Sequence, residues 1–234
     1  MSKLGDLKVN LIYRCYVVLN KIVLLRKAWA PKILSIDDTM EMIIKDHVSV
    51  SRIGDGEFKW MLNLPQNSFQ KQSDELKNAL INVLNNKNPN LLVCVSDCFG
   101  SLKEYKTQSQ MVWSKIMIKE RKKLERIFPS NKTFGNLNIT RFYIDFKDIS
   151  HVPKLLAEWN KVFDNRRIVI IEGKYTRLGV GNDLLKSASS VQRIIAPAEN
   201  AFEKYKEIKK VVIDKVALDK LVLIALGPTA TVLA

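Results

Sequence analysis

The chain is poor in the residues that build soft-metal and disulfide sites. Its three cysteines, Cys15, Cys94 and Cys98, form no CxxC pair, and only His47 and His151 stand beside them. A Cys/His zinc site is therefore not expected, and such sparse cysteine fits a reduced, cytoplasmic compartment. Long apolar runs are missing as well. The nearest approach, Cys15 to Leu25, is interrupted by Asn20 and Lys21. It is too short and too polar at its centre to span a bilayer, and no small-residue cleavage site follows it as a signal peptide requires. Beyond Pro31 there is no repeat, no low-complexity tract and no Gly/Ser linker, which argues for a single domain. Acids are in deficit: 24 Asp and Glu against 38 Lys and Arg give a net charge of +14. That balance favours polyanions, anionic membrane surfaces or phosphorylated small molecules as partners, without choosing among them.

What is present is ordinary globular material. At 234 residues, 47% hydrophobic and 26% charged, the chain can bury the core of one α/β domain. Residues 1–33 form a basic N-terminal segment in which Lys3, Lys8, Arg14, Lys21, Arg26, Lys27 and Lys32 surround the apolar run and Asp6 is the only acid. One reading is an amphipathic helix on the cytoplasmic face of an anionic membrane. The other is a helix docked on its own domain or on another subunit, since both uses need an apolar stripe with a basic flank.

From residue 34 onward, helical and strand patterns alternate. Helical spacing covers residues 36–46 after the cap Ser35, residues 74–85 after Ser73, residues 108–127 and residues 153–163, and a last helix runs to about residue 210. Strand signals cover residues 48–53, 91–95, 139–146, 168–171, 194–195 and 221–226. Strands alternating with helices predict a Rossmann-like α/β domain, a mostly parallel sheet with helices on both faces.

The most informative stretch is Arg52-Ile53-Gly54-Asp55-Gly56-Glu57, directly after the apolar strand. Gly54 and Gly56 are expected to let the chain turn sharply and a ligand approach the backbone. Asp55 and Glu57 then project at the carboxyl end of a strand, where open α/β sheets bind ligands. Two adjacent carboxylates repel unless a cation shares them, and Mg²⁺ or Mn²⁺ accepts carboxylate together with phosphate oxygens. The plainer alternative is a turn whose Glu caps the next helix.

Other strand ends offer further candidates. After residues 168–171, the loop from Glu172 to Asp183 supplies Lys174 and Arg177 for phosphate charge, and Asn182 and Asp183 for hydrogen bonds to a base, ribose or sugar. Its Gly179 and Gly181 match a dinucleotide loop poorly, because no third glycine follows; an exposed Gly-rich loop is the alternative. After residues 221–226, Gly227-Pro228-Thr229 describes a helix start suited to an anion or an ordinary capped one. Asn200 reads as a helix-start residue before a ligand. The basic run near residues 115–126 reads as a solvated helix face, because aromatic stacking residues and nucleic-acid signatures are absent; no nucleic acid is expected. Neither Cys94 nor Cys98 has a neighbour that would make it a catalytic thiol.

Together, SVSRIGDGEF (49–58), IEGKYTRLGVGNDLL (171–185), RIIAPAENAFEKYKEI (193–208) and LVLIALGPTATVLA (221–234) resemble the bacterial glycosyltransferases of the GT-D fold. The resemblance runs from about Leu34 to the end. It implies a GT-D-type Rossmann-like domain that moves a hexose from a nucleotide-sugar, usually a UDP-sugar, to a hydroxyl of a glycan or glycoprotein acceptor. It implies Mn²⁺ or Mg²⁺ held by a DxE motif, which Asp55 and Glu57 match. Arg52, Gly54, Gly56, Lys174, Arg177, Asn182, Asp183 and Thr229 fall in motifs expected to line the donor pocket. Family members continue past the GPTA helix into another strand and an acidic, histidine-containing motif. An incomplete C-terminus and a missing catalytic base are therefore expected. The rival readings are a non-catalytic nucleotide- or polyanion-binding module at the membrane, an inactive truncated transferase, and a Rossmann enzyme using a nicotinamide or methyl donor. Oligomeric state, donor sugar and acceptor are left open.

Overall fold

In the computed structural model, which describes residues 3–26, 28–66, 69–216 and 219–234, the described strands are all parallel and form two sheets. The first has the order β1-β4-β3-β2, from Lys32–Ile33, Thr133–Asn136, Leu91–Val95 and Ser49–Ile53. The second has the order β6-β5-β7, from Ser190–Ala196, Arg167–Gly173 and Leu221–Ala225.

Strands β3 and β5 are apolar at nearly every position because helices cover both of their faces. On one side of the first sheet, Ile53, Val93 and Val95 meet Phe58, Leu76, Leu80, Met117 and Leu124. These come from α3 (Asp55–Met61), α4 (Asp74–Leu84) and α5 (Thr107–Ile127). On the other side, Leu92 and Cys94 meet Met40, Ile43 and Leu155, from α2 (Ile36–Lys45) and α6 (Val152–Phe163). The second sheet repeats the scheme. Val169 and Ile171 pack toward Ile208 of α7 (Tyr205–Lys215), and Ile168 and Ile170 toward Phe163 of α6. Helix starts are where the caps predict them: Ser35 Oγ accepts the Asp38 amide at 3.0 Å and Ser73 Oγ the Leu76 amide at 3.1 Å.

Two elements join the sheets. Helix α6 packs on both, since Trp159 and Val162 touch the core on either side. Helix α8 (Pro228–Leu233), which begins at the carboxyl end of β7, reaches the carboxyl end of β2. There Thr231 Oγ1 donates to the Arg52 carbonyl at 2.8 Å, and Ser51 Oγ donates to the Thr231 carbonyl at 2.6 Å. The exposed rim of β2 is thereby covered by a helix instead of another strand.

Several sequence expectations are corrected. Residues 139–146 are not a strand. The strand is β4, just before them, followed by a 3₁₀ turn at Leu137–Thr140 and further turns. Ile139 and Phe142 are buried three residues apart on one side, a helical spacing that mimics a short apolar strand. Strand β4 itself has a weak signal because its centre is Gly135, where a Cβ would lie 2.5 Å from Cys94 Sγ. Strand β6 is longer than residues 194–195, and the last long helix splits into a 3₁₀ turn at Ala201–Lys204 and α7, which runs to Lys215. The N-terminal segment is a helix, α1 (Lys3–Leu25), laid along α5; Lys27 lies outside the described residues.

Candidate active site

The carboxyl edge of the first sheet gathers polar groups from three strands. After β2, Gly54 is the cap of α3, with Asp55 its first and Glu57 its third residue. The Gly54 amide donates to Glu57 Oε2 at 2.8 Å, the side-chain half of a capping box. Asp55 turns outward and pairs with Lys59 at 2.9 Å. The capping alternative is thus realised by Glu57, while the pair also stands at a strand end as the ligand reading requires. The sharp glycine turn is not realised: Gly54 has extended backbone (φ −107°, ψ −161°), and Gly56 sits inside α3, where a Cβ would meet Trp60 at 3.1 Å.

Burial raises the Glu57 carboxyl above the ordinary carboxylate range; the Gly54 amide and the Arg52 charge oppose that rise, and Asp55 adds to it. Arg52, half-buried, is lowered by burial, and Glu57 opposes this. Its Nε is buried without a partner. Arg141, from the segment after β4, is close enough to act on Arg52 as a like charge, while its own Nε donates to Asp145 at 3.0 Å. Arg52 therefore stands beside the half-buried Glu57 carboxyl at the end of β2, with Arg141 within electrostatic reach of Arg52.

Sequence reasoning passed over the ends of β3 and β4. Asp97 accepts from Asn138 Nδ2 at 3.0 Å and from the Tyr105 hydroxyl, and Asn138 also donates to that hydroxyl at 2.8 Å. The Tyr105 hydroxyl is pushed far above its ordinary value by burial, then by Asp97. Asp97 and Asn136 open onto a cleft of about 480 Å³ shared with Ser35, Glu104, Asp148 and His151. The strand-end rule that selected Asp55 selects Asp97 as well; its neighbouring cysteines drew attention away. Burial pushes the Cys94 thiol up to about 12 and the Cys98 thiol higher still, so neither is a nucleophile.

The second sheet's edge is built differently. Lys174, Arg177, Asn182 and Asp183 are all exposed on the loop after β5. Gly179 and Gly181 hold positive φ (73° and 78°), which explains both glycines without a dinucleotide. The loop is clasped from below: buried Glu172 pairs with Arg193, Glu172 Oε2 accepts the Leu178 amide at 3.0 Å, and Arg193 donates to the Leu178 carbonyl at 2.8 Å. Thr229 is fully buried with its hydroxyl unpartnered, so it does not face solvent as an anion site would. Asn200 is structural, with left-handed backbone and an Oδ1 that accepts the Lys71 amide at 2.8 Å. On α5, Arg121 departs from the solvated-face reading, donating to the Trp29 and Phe99 carbonyls.

No group of three or more His, Cys, Asp or Glu among the described residues could enclose a metal by itself. Asp55 and Glu57 suit a hard cation of the kind that keeps one or two carboxylates and takes its remaining oxygens from substrate phosphate and water. The half-buried Glu57 carboxyl is also where an added positive charge offsets the cost of ionisation.

A parallel α/β scaffold with carboxylates and guanidiniums along one sheet edge defines a Rossmann-like ligand-binding domain. The model of the glycosyltransferase GT-D fold family matches residues 50–234, and the chain belongs to that family. It is 32% identical over 204 residues to the glycosyltransferase GlyD of Streptococcus pneumoniae serotype 4, covering 87% of this chain and 25% of that protein. With the probable glycosyl transferase Gly of Streptococcus gordonii it shares 33% identity over 204 residues, 86% of this chain and 29% of the other. The chain thus spans less than a third of these curated relatives. A solved Streptococcus sanguinis glycosyltransferase superposes with a TM-score of 0.82 at 32% identity, over 87% of this chain and 76% of that one. A second structure, of a conserved domain with a distinct glycosyltransferase fold, gives 0.80 at 33% identity, over 87% and 73%.

Proposed function

We propose that this chain is the catalytic domain of a metal-dependent glycosyltransferase that moves a hexose from a UDP-sugar to a hydroxyl of a glycan or glycoprotein. The observation that supports this most is the edge of β2, where Asp55 and Glu57 open α3 and Arg52, next to Glu57, has Arg141 nearby, in a chain of the GT-D family. Asp55 and Glu57 would hold Mn²⁺ or Mg²⁺ against the donor diphosphate, where the cation supplies Lewis-acid stabilisation of the leaving nucleotide. Arg52 and Arg141 neutralise the same developing charge, and the partial burial of Arg52 strengthens its share of that effect. Lys174, Arg177, Asn182 and Asp183 bind the donor from the other sheet edge. Gly54 keeps the backbone slim where the donor approaches, with Glu57 Oε2 only 3.4 Å from where a Cβ would stand. In this reading Thr229 positions α8 and does not touch the donor.

The test is calorimetric titration of UDP into the purified chain with and without Mn²⁺, repeated on Asp55→Asn and Glu57→Gln. The glutamine keeps an acceptor for the Gly54 amide while removing the charge. Metal-dependent binding, weakened at least about tenfold in both variants, supports the reading. Binding indifferent to metal and to both substitutions overturns it and leaves a basic binding module. Membrane contact and self-association are no part of this reading; α1 is the element that bears on both.

A further inference from the structure

Helix α1 has two apolar faces and uses one. Tyr13, Tyr16 and Asn20 share the face toward α5. There Lys115 donates to the Tyr13 hydroxyl at 3.3 Å and lies over its ring, Lys119 lies over the Tyr16 ring, and Asn20 is buried. The opposite face carries Leu11, Cys15, Val18, Ile22 and Leu25, spaced by alternating steps of four and three, which keeps them in one stripe. All five are exposed, Leu11 at 65% and Leu25 at 84%, and Ile12 and Leu19 widen the stripe on one side. So large an apolar surface is costly in water unless something covers it.

Charge identifies the cover. Arg14 and Lys21 flank the stripe on one side and Arg26 on the other, all exposed. No Asp or Glu occurs anywhere from Leu7 to Ile36. A second copy of α1 would set cations against cations with no carboxylate to pair them. An anionic lipid surface meets both demands, since its acyl boundary takes the leucines, isoleucine and valine while its headgroups take the arginines and lysine. Among the described residues no helix is long and apolar enough to cross a membrane, which matches a helix lying in the interface. Helix α1 also lies outside the family match to residues 50–234.

We propose that α1 is an in-plane membrane-contact helix whose outer stripe enters the headgroup boundary of an anionic bilayer and so holds the attached domain at that surface. The proposal stands apart from the sugar-transfer reading. Cys15 lies within the stripe, while Cys94 and Cys98 are wholly buried, so an environment-sensitive fluorophore attached to the folded chain labels the stripe alone. Added phosphatidylglycerol vesicles should shift its emission to the blue and carry the protein in flotation, with pure phosphatidylcholine vesicles doing neither. Val18→Asp and Ile22→Asp, which leave the α5 face untouched, should each weaken partitioning at least about tenfold, and the circular dichroism spectrum should be unchanged. The proposal is overturned by absent partitioning, by partitioning that both substitutions leave intact, or by a blue-shifted dimer without vesicles, which would make a second copy the cover.

Discussion

The two sheet edges of this molecule solve different problems with similar residues. At the end of β5, buried Glu172 and half-buried Arg193 form a pair that is satisfied internally, and the cations expected to meet a ligand stand outside it on an exposed loop. At the end of β2, Glu57 is half-buried with backbone donors and the Arg52 guanidinium nearby, Arg141 lies near Arg52, and Arg52 keeps an unpartnered Nε. The first arrangement is closed and serves structure. The second is left short of partners, as expected where a ligand completes the set.

The sharpest way to break the comparison is at the closed edge. Arg193→Met leaves the Glu172 carboxylate buried without its counter-charge, held only by the Leu178 amide, and urea unfolding should show a loss of about 3–5 kcal/mol. A loss below about 1 kcal/mol would mean that the pair is not the clasp described. Tyr105→Phe should cost less, about 1–3 kcal/mol, by leaving Asp97 and Asn138 short of a partner.

Glu57 sharpens the contrast through pH. Its folded-state pKa is raised by burial above an ordinary value of 4.5, so between the two values the folded chain binds more protons than the unfolded one, and stability falls as pH rises through that window. Glu57→Gln removes this fall. The variant's unfolding midpoint should therefore gain on the wild type as pH is raised from about 4.5 toward neutrality in metal-free buffer. A difference independent of pH would show that Glu57 is not held at a cost. The smallest effect belongs to the exposed loop. Lys174→Ala and Arg177→Ala should each change unfolding stability by no more than about 0.5 kcal/mol, while weakening UDP binding.

These contrasts also explain what the sequence discloses. Asp55 and Glu57 were legible because they are consecutive with a strong strand signal, Val48 to Ile53, and sit at its end. The Asp97 network was not, because its members come from separate strand ends; Asp97 and Asn138 are 41 positions apart, and only the parallel pairing of β3 with β4 brings them together. Arg141 was hidden because the segment around it buries Ile139 and Phe142 from turns, which in sequence imitate a strand. The loop glycines match a dinucleotide loop poorly in sequence, and their positive φ answers to backbone geometry instead.

Electron paramagnetic resonance of Mn²⁺ decides whether the β2 edge holds a divalent cation together with a nucleotide diphosphate. Free Mn²⁺ gives a strong solution signal that is lost on binding. With UDP present, one protein-dependent Mn²⁺ site is expected in the wild-type chain, absent in both Asp55→Asn and Glu57→Gln. An unchanged Mn²⁺ signal on adding the wild-type chain to Mn²⁺ and UDP, or an equal loss of signal in the two variants, would contradict it.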